Sequence, residues 1–244
     1  MAAFTSNQQP ATPFRVKVSE LFFSIQGEGK LAGVPSVFVR ASGCNLRCVW
    51  CDTPYASWQP EGEEMAPSEI VARVSAFGAR HVVLTGGEPM IMPDIAELCA
   101  ELKAREFHIT IETAATVFSA VHCDLASLSP KLRNSVPSER EGGRFALAHD
   151  RMRISVPTIQ KFIDTAGDFQ LKFVVCEEAE LEEIQSLLDQ IKGWTPADVL
   201  LMPEGIEGDA LARRSIWVAE LCKRRGYRFC PRLHISLYGN KRGT

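Results

Sequence analysis

The chain lacks the features that most directly assign a protein to nucleic acid, membrane or export. Its 27 lysines and arginines are outnumbered by 30 aspartates and glutamates, and the net charge is -3. That balance leaves no basic footprint for nucleic acid or for an anionic membrane surface. There is no run of about 18 apolar residues, the minimum for a membrane helix. The first residues, Met1 to Gln9, have neither the basic start nor the apolar stretch of a signal peptide. Internal repeats and low-complexity blocks are missing too. These absences predict a cytoplasmic protein with a small-molecule partner, no nucleic acid and no membrane.

What the chain does have is cysteine, eight in 244 residues. In a cytosolic protein such thiols serve as metal ligands or as reduced core residues more often than as disulfides. Cys99, Cys123, Cys176, Cys222 and Cys230 stand singly among apolar neighbours and read as small buried hydrophobes. Cys44, Cys48 and Cys51 do not fit that description.

A chain of this length with 45% hydrophobic residues can close one large core. Residues 1 to 13 are polar and contain proline, and they predict a flexible tail ahead of one domain over 14 to 244. Short apolar runs at 36–40, 81–85, 107–111, 170–175, 199–202 and 227–230 read as strands, several of them continuous as in a sheet covered on both faces. Amphipathic stretches at 67–77, 94–106, 177–191 and 209–225 read as helices between them. Ser68 and Val71 mark one helix start, and Asp94 with Glu97 a second, of capping-box type. Such alternation predicts a parallel α/β sheet, either barrel-like or doubly wound. The stretch 130–153, rich in Arg, Ser, Gly and Glu, reads as a long surface loop.

The sequence Cys44-Asn-Leu-Arg-Cys48-Val-Trp-Cys51 places three thiols within eight residues, followed by Asp52-Thr53-Pro54. Three thiolates can ligate three irons of a cubane and leave the fourth open, whereas an electron-transfer cluster normally has four protein ligands. A structural zinc site is the alternative, but it needs a fourth ligand and none lies nearby. Downstream, Thr85-Gly86-Gly87-Glu88-Pro89 ends an apolar strand. In isolation it could be an ordinary strand-to-helix turn.

Together the Cys-x3-Cys-x2-Cys spacing and the Gly-Gly-Glu-Pro element resemble the radical S-adenosylmethionine (SAM) enzymes. Glu20 to Gly29, Gly33-x-Pro35, Val37 to Cys44 and Trp50 to Thr53 are similar, more narrowly, to the 7-carboxy-7-deazaguanine synthase family. Ile111-Glu-Thr, Ser129-Pro-Lys and Leu233-His234 add matching pieces. The resemblance implies a modified, incomplete (β/α) barrel with its site at the C-terminal strand ends. It also implies a [4Fe-4S] cluster on Cys44, Cys48 and Cys51, and SAM chelated to the open iron and cleaved to a 5'-deoxyadenosyl radical. The implied reaction is ring contraction of 6-carboxy-5,6,7,8-tetrahydropterin to 7-carboxy-7-deazaguanine with loss of ammonia, a step towards queuosine.

Residue by residue, the resemblance implies SAM contacts from Trp50, Cys51, Asp52, Gly87, Ser129, Pro130, Lys131, Met202, Pro203 and Glu204. It implies Mg2+ on the Thr53 hydroxyl, and pterin contacts from Ile25, Gln26, Gly27, Glu28, Arg40, Thr85, Glu112 and His234. An electron donor such as flavodoxin or ferredoxin, and a homodimer, follow from the same likeness. The residues suit these roles: Mg2+ prefers oxygen ligands and retains waters, and a guanidinium can fork onto the pterin carboxylate. Thr53 could instead be a turn residue before Pro54, and Arg40 part of an ordinary ion pair. Met202-Pro203-Glu204 departs from the more usual Gln-Pro, and the tail Ser236 to Thr244 runs further beyond His234 than in some relatives. A second radical SAM activity, such as a glycyl-radical activase, would share the cysteines and the glycines but has no use for Gln26, Arg40 and Thr53 together. A metal-stabilised binding module is the non-enzyme alternative.

Overall fold

The computed structural model describes residues 15–244, so the tail expected at 1–13 lies outside the described residues. The strands are β1 (Val16–Ile25), β2 (Pro35–Ala41), β3 (Glu63–Met65), β4 (His81–Gly86), β5 (His108–Thr113), β6 (Leu125–Leu128), β7 (Asp168–Val175), β8 (Val199–Pro203) and β9 (Arg228–Phe229). They form a 9-stranded sheet in the order β3-β1-β2-β4-β5-β6-β7-β8-β9. From β2 to β9 every neighbouring pair is parallel, while β1 runs antiparallel to both β2 and β3. The ends β3 and β9 do not pair with each other, so the curl is an incomplete barrel. The helices are α1 (Pro67–Ala76), α2 (Ile95–Ala104), α3 (Ala146–Met152), α4 (Val156–Thr165), α5 (Glu180–Leu188), α6 (Gly208–Arg225) and α7 (Leu233–Tyr238). None of these is long and apolar enough to cross a membrane.

Strand alternation divides the residues between two environments. Val37, Val39 and Ala41 of β2, Val82 and Leu84 of β4, Ile109 and Ile111 of β5, and Leu171, Phe173 and Val175 of β7 belong to the main core beneath the helices. The intervening residues point the other way: Phe38 and Arg40, Thr85, Glu112, and Lys172 and Val174 all line one cavity. A period of two thus lifts a polar row out of strands that otherwise read as uniformly apolar.

Four expectations need correction. The capping box at Asp94 is not formed, since Asp94 starts α2 with no side-chain cap. α1 starts at Pro67 with Ala66 as its N-cap, one residue before Ser68. The 10-residue β1 was not expected as a strand, its alternation being interrupted by Leu21-Phe22-Phe23. Finally, the stretch 130–153 is not simply a surface loop. It contains α3, and Leu132, Ser135 and His149 in it are at most 1% exposed. Arg133, Glu139, Glu141, Arg144 and Arg151 are exposed, while these three pin it to the protein interior.

Candidate active site

A cavity of about 290 Å³ opens at the C-terminal ends of the parallel strands. β2 delivers the cysteine loop, β4 the Gly86-Gly87 turn, and β6 the Ser129 to Lys131 segment. Placement at strand ends follows from the barrel, where loops at this face can converge while the strands stay rigid.

The cysteine loop and the glycine turn are interlocked. Gly87 N–H donates to Ala41 O (3.0 Å) and Glu88 N–H to Gly43 O (2.9 Å). A Cβ on Gly87 would sit 1.9 Å from Gly43 O, so only glycine allows this approach. Glu88 is fully buried; its carboxylate accepts from Thr113 Oγ1 (2.6 Å), Ala114 N (2.9 Å) and Met90 N (3.1 Å). That makes Glu88 a structural clamp beneath the site. Cys44, Cys48 and Cys51 all line the cavity, and none is in a disulfide. Burial pushes the thiols of Cys44 and Cys48 up to about 12. Leu46 N–H points at Cys44 Sγ, 3.3 Å away.

Across the cavity lies a polar wall. Gln26 donates to Glu112 Oε1 (3.1 Å), and Thr85 donates to Glu112 Oε2 (2.7 Å). Glu28 is paired with Lys172 and with Arg232 (3.2 Å), and Arg232 pairs in turn with Asp52, next to Cys51. Burial alone would raise the Glu28 carboxyl, but the Lys172 ammonium and the Arg232 guanidinium outweigh it and hold the group below the usual carboxylate range. Burial likewise would lower Lys172, yet Glu28 and Glu112 drive it up. The Gly27 backbone passes so close to His234 that a Cβ would meet its ring at 1.9 Å, and Leu233 N–H donates to Gly27 O (2.9 Å). Arg40 is held by Glu20 through Nε (2.7 Å). Glu20 also accepts from Tyr55 Oη (2.8 Å) and Arg242 Nε (3.0 Å).

Of the residues singled out from sequence, Ile25, Gln26, Gly27, Glu28, Arg40, Trp50, Asp52, Thr53, Thr85, Gly87, Glu112, Ser129, Lys131, Met202 and His234 line this cavity with the cysteines. Pro130, Pro203 and Glu204 do not; the Glu204 carboxylate is taken by Arg214. Sequence reading missed Lys172 and Arg232, the aromatic pair Phe22 and Phe38 stacked at 5.0 Å, and Tyr55, Asn240, Lys241, Arg242 and Thr244 at the rim. A lysine inside the apolar run of β7 was the available signal for Lys172. Cys230 is more than filler, for its Sγ lies 3.1 Å from Gly29 N at the base of the Gln26–Glu28 turn.

Comparison with known proteins agrees with this geometry. Residues 38–136 match the radical SAM superfamily. Two relatives named 7-carboxy-7-deazaguanine synthase align along almost the whole chain. The Rhodopirellula baltica protein is 44% identical over 100% of this chain and 94% of its own length. The Halobacterium salinarum protein is 45% identical over 95% and 92%. The crystal structure of QueE from Escherichia coli superposes with a TM-score of 0.65 at 26% identity, covering 88% of this chain and 93% of that one. With the cysteine loop, the glycine turn and this full-length identity in agreement, the chain belongs to the 7-carboxy-7-deazaguanine synthase family of radical SAM proteins.

Proposed function

We propose that this protein converts 6-carboxy-5,6,7,8-tetrahydropterin to 7-carboxy-7-deazaguanine by radical ring contraction with loss of ammonia. The observation that carries this reading is a single cavity with three cysteines at one wall and an organised set of carboxylates, amide and guanidinium at the other.

In this reading Cys44, Cys48 and Cys51 hold a [4Fe-4S] cluster. The donor set fits: three thiols share one end of the cavity, with a backbone amide aimed at one of them. Among the described residues no three His, Cys, Asp or Glu side chains converge as a single metal ion requires. A cubane takes one thiolate per iron and asks for no such convergence. When bound, the cluster supplies the electron that opens SAM, and SAM supplies hydrogen abstraction from the pterin.

The protein's own groups bind and orient. Gly87 offers backbone without a side chain, Trp50 and Lys131 form a pair with the ammonium 5.9 Å from the ring centroid, and Asp52 and Ser129 add oxygens on the SAM side. Met202 presents a thioether where relatives more usually have an amide, and the Glu204 side chain is tied off by Arg214. Glu28, kept ionised by its two cations, is a fixed acceptor for the guanidine-like N–H groups of the pterin, with Glu112, Gln26 and His234 beside it. Glu20 holds Arg40 by Nε, which leaves the terminal nitrogens, unbonded to any described residue, to fork onto the pterin carboxylate. Thr53 lines the cavity with its hydroxyl 3.8 Å from Cys51 Sγ, and an oxygen at that place supports its use as a ligand to Mg2+. A donor such as flavodoxin or ferredoxin, and assembly as a homodimer, rest on the family likeness.

The test is anaerobic incubation of the iron-loaded protein with SAM, reductant and carboxytetrahydropterin, with product mass measured. Formation of 7-carboxy-7-deazaguanine is expected. SAM cleavage without that product would point to an activase, and zinc in place of iron after reconstitution to a binding module.

A further inference from the structure

The stretch Leu132 to Met152 packs on the cysteine loop through a chain of hydrogen bonds whose directions are all determined. Arg47, directly before Cys48, can only donate through its backbone N–H, and it does so to His149 Nδ1 at 3.0 Å. The imidazole proton therefore sits on Nε2, which faces Ser135 Oγ at 2.8 Å. Ser135 passes its own proton to Leu132 O at 2.6 Å. On the other side of Cys48, Val49 N–H donates to Ser135 O at 2.9 Å. The amides flanking the middle cysteine thus end on two buried residues 14 positions apart, His149 and Ser135, which are bonded to each other. Burial lowers the imidazole to about 4, so it is neutral as the relay requires.

We propose that His149 is a positioning residue for the iron-sulfur cluster, fixing the Arg47 amide and, through Ser135, the Val49 amide, so that Cys48 presents its thiolate in one orientation. The proposal rests on the cluster reading given above. A buried amide that loses its acceptor must find another, and the loop turns to do so. The adjacent Leu46 N–H, aimed at Cys44 Sγ, turns with it. Amide hydrogen bonds to the sulfurs are among the factors that set a cluster's potential. A histidine that merely filled space would leave the cluster's spectrum and iron retention unchanged when replaced by a ring of similar size.

The experiment compares wild type with His149→Phe, His149→Asn, Ser135→Ala and Cys48→Ala. It measures iron content, the electron paramagnetic resonance spectrum of the reduced cluster, and the rate of iron loss to a ferrous chelator. His149→Phe is expected to shift the spectrum and lose iron about tenfold faster, the scale of one lost hydrogen bond of about 1.4 kcal/mol. His149→Asn, which returns an acceptor oxygen near Nδ1, should recover part of that loss, and Ser135→Ala should show a smaller change of the same kind. If His149→Phe does not fold, the Asn and Ser135 variants carry the test, and wild-type behaviour in both overturns the proposal. Wild-type spectrum and retention in His149→Phe overturn it directly. Full iron in Cys48→Ala would overturn the cluster reading itself and this proposal with it, whereas an iron-free Cys48→Ala beside a normal His149→Phe overturns the proposal alone.

Discussion

The two walls of the cavity are built from opposite materials. The cysteine wall is largely apolar: Leu46, Cys48 and Ala114 form a small apolar cluster, His149 is uncharged, and the loop is held by backbone amides and by the Arg47 guanidinium, which donates to Cys44 O and Leu46 O. The facing wall is dense with charge, with Glu28, Lys172 and Arg232 linked in one chain and Glu20, Arg40 and Arg242 in another. A redox cluster calls for low dielectric and fixed dipoles, while a polar heterocycle with a carboxylate calls for ionised partners held in place. One cavity supplies both because neighbouring strands feed different faces of it. Arg232 joins the walls, reaching from Glu28 to Asp52.

The largest effect should come from breaking the cysteine wall at its ligand. Cys48→Ala is expected to lose its iron and all SAM cleavage, because two thiolates cannot hold an open-iron cubane firmly. Iron assay and methionine release check this, and the same measurements on Cys99→Ala, in the main core, should match wild type.

The charged wall should break differently. Lys172 is 6% exposed, and Lys172→Met leaves Glu28 with one cation in place of two. Removing one partner of a buried pair typically costs about 3 kcal/mol or more. The variant should therefore unfold at lower denaturant and bind pterin more weakly while its iron content stays normal. Iron loss in Lys172→Met would mean that the walls are not separable.

Arg40→Lys should have a smaller effect, confined to substrate. An ammonium cannot reproduce a bidentate fork, and the expected loss of pterin affinity is about 1.5–3 kcal/mol, read as KM with SAM cleavage retained. Unchanged KM would assign Arg40 to its ion pair with Glu20.

The two walls also differed in how far they could be read from sequence. The cysteine spacing and the Gly86-Gly87 turn are local, and their residues lie in the cavity. Arg40, Thr85 and Glu112 were reached through the family resemblance, and each lies at or just beyond the end of an apolar run. Lys172 obeys the same alternation but lies inside a continuous run, where flanking leucine and phenylalanine mask the period. Arg232 sits 180 positions from its partner Asp52, and no local pattern encodes that separation. The stretch 130–153 misled for a related reason, since composition averages over its residues and three buried ones fix its path.

The smallest expected effect separates the walls by acidity. His149 has its pKa lowered from 6.5 to about 4, first by burial and then by Arg153. Between those values the unfolded chain binds a proton there that the folded protein refuses, so stability must fall as pH drops from 6.5 towards 4. Glu28 acts in the same sense but in a lower window: its carboxyl is held below the ordinary value of 4.5, so the stability it contributes is lost only as pH falls below that value. His81 and His234 are also lowered by burial and add to the loss at mild acidity, so the wild-type curve alone does not isolate His149. The difference between wild type and His149→Phe does. Measured by denaturant unfolding before iron loading, wild type should lose about 1–2 kcal/mol more than the variant between pH 7 and pH 5, on the scale set by a shift of this size. Parallel curves over that interval would mean that the folded imidazole takes its proton as readily as the unfolded one, as it could not while its Nδ1 accepts from the Arg47 amide.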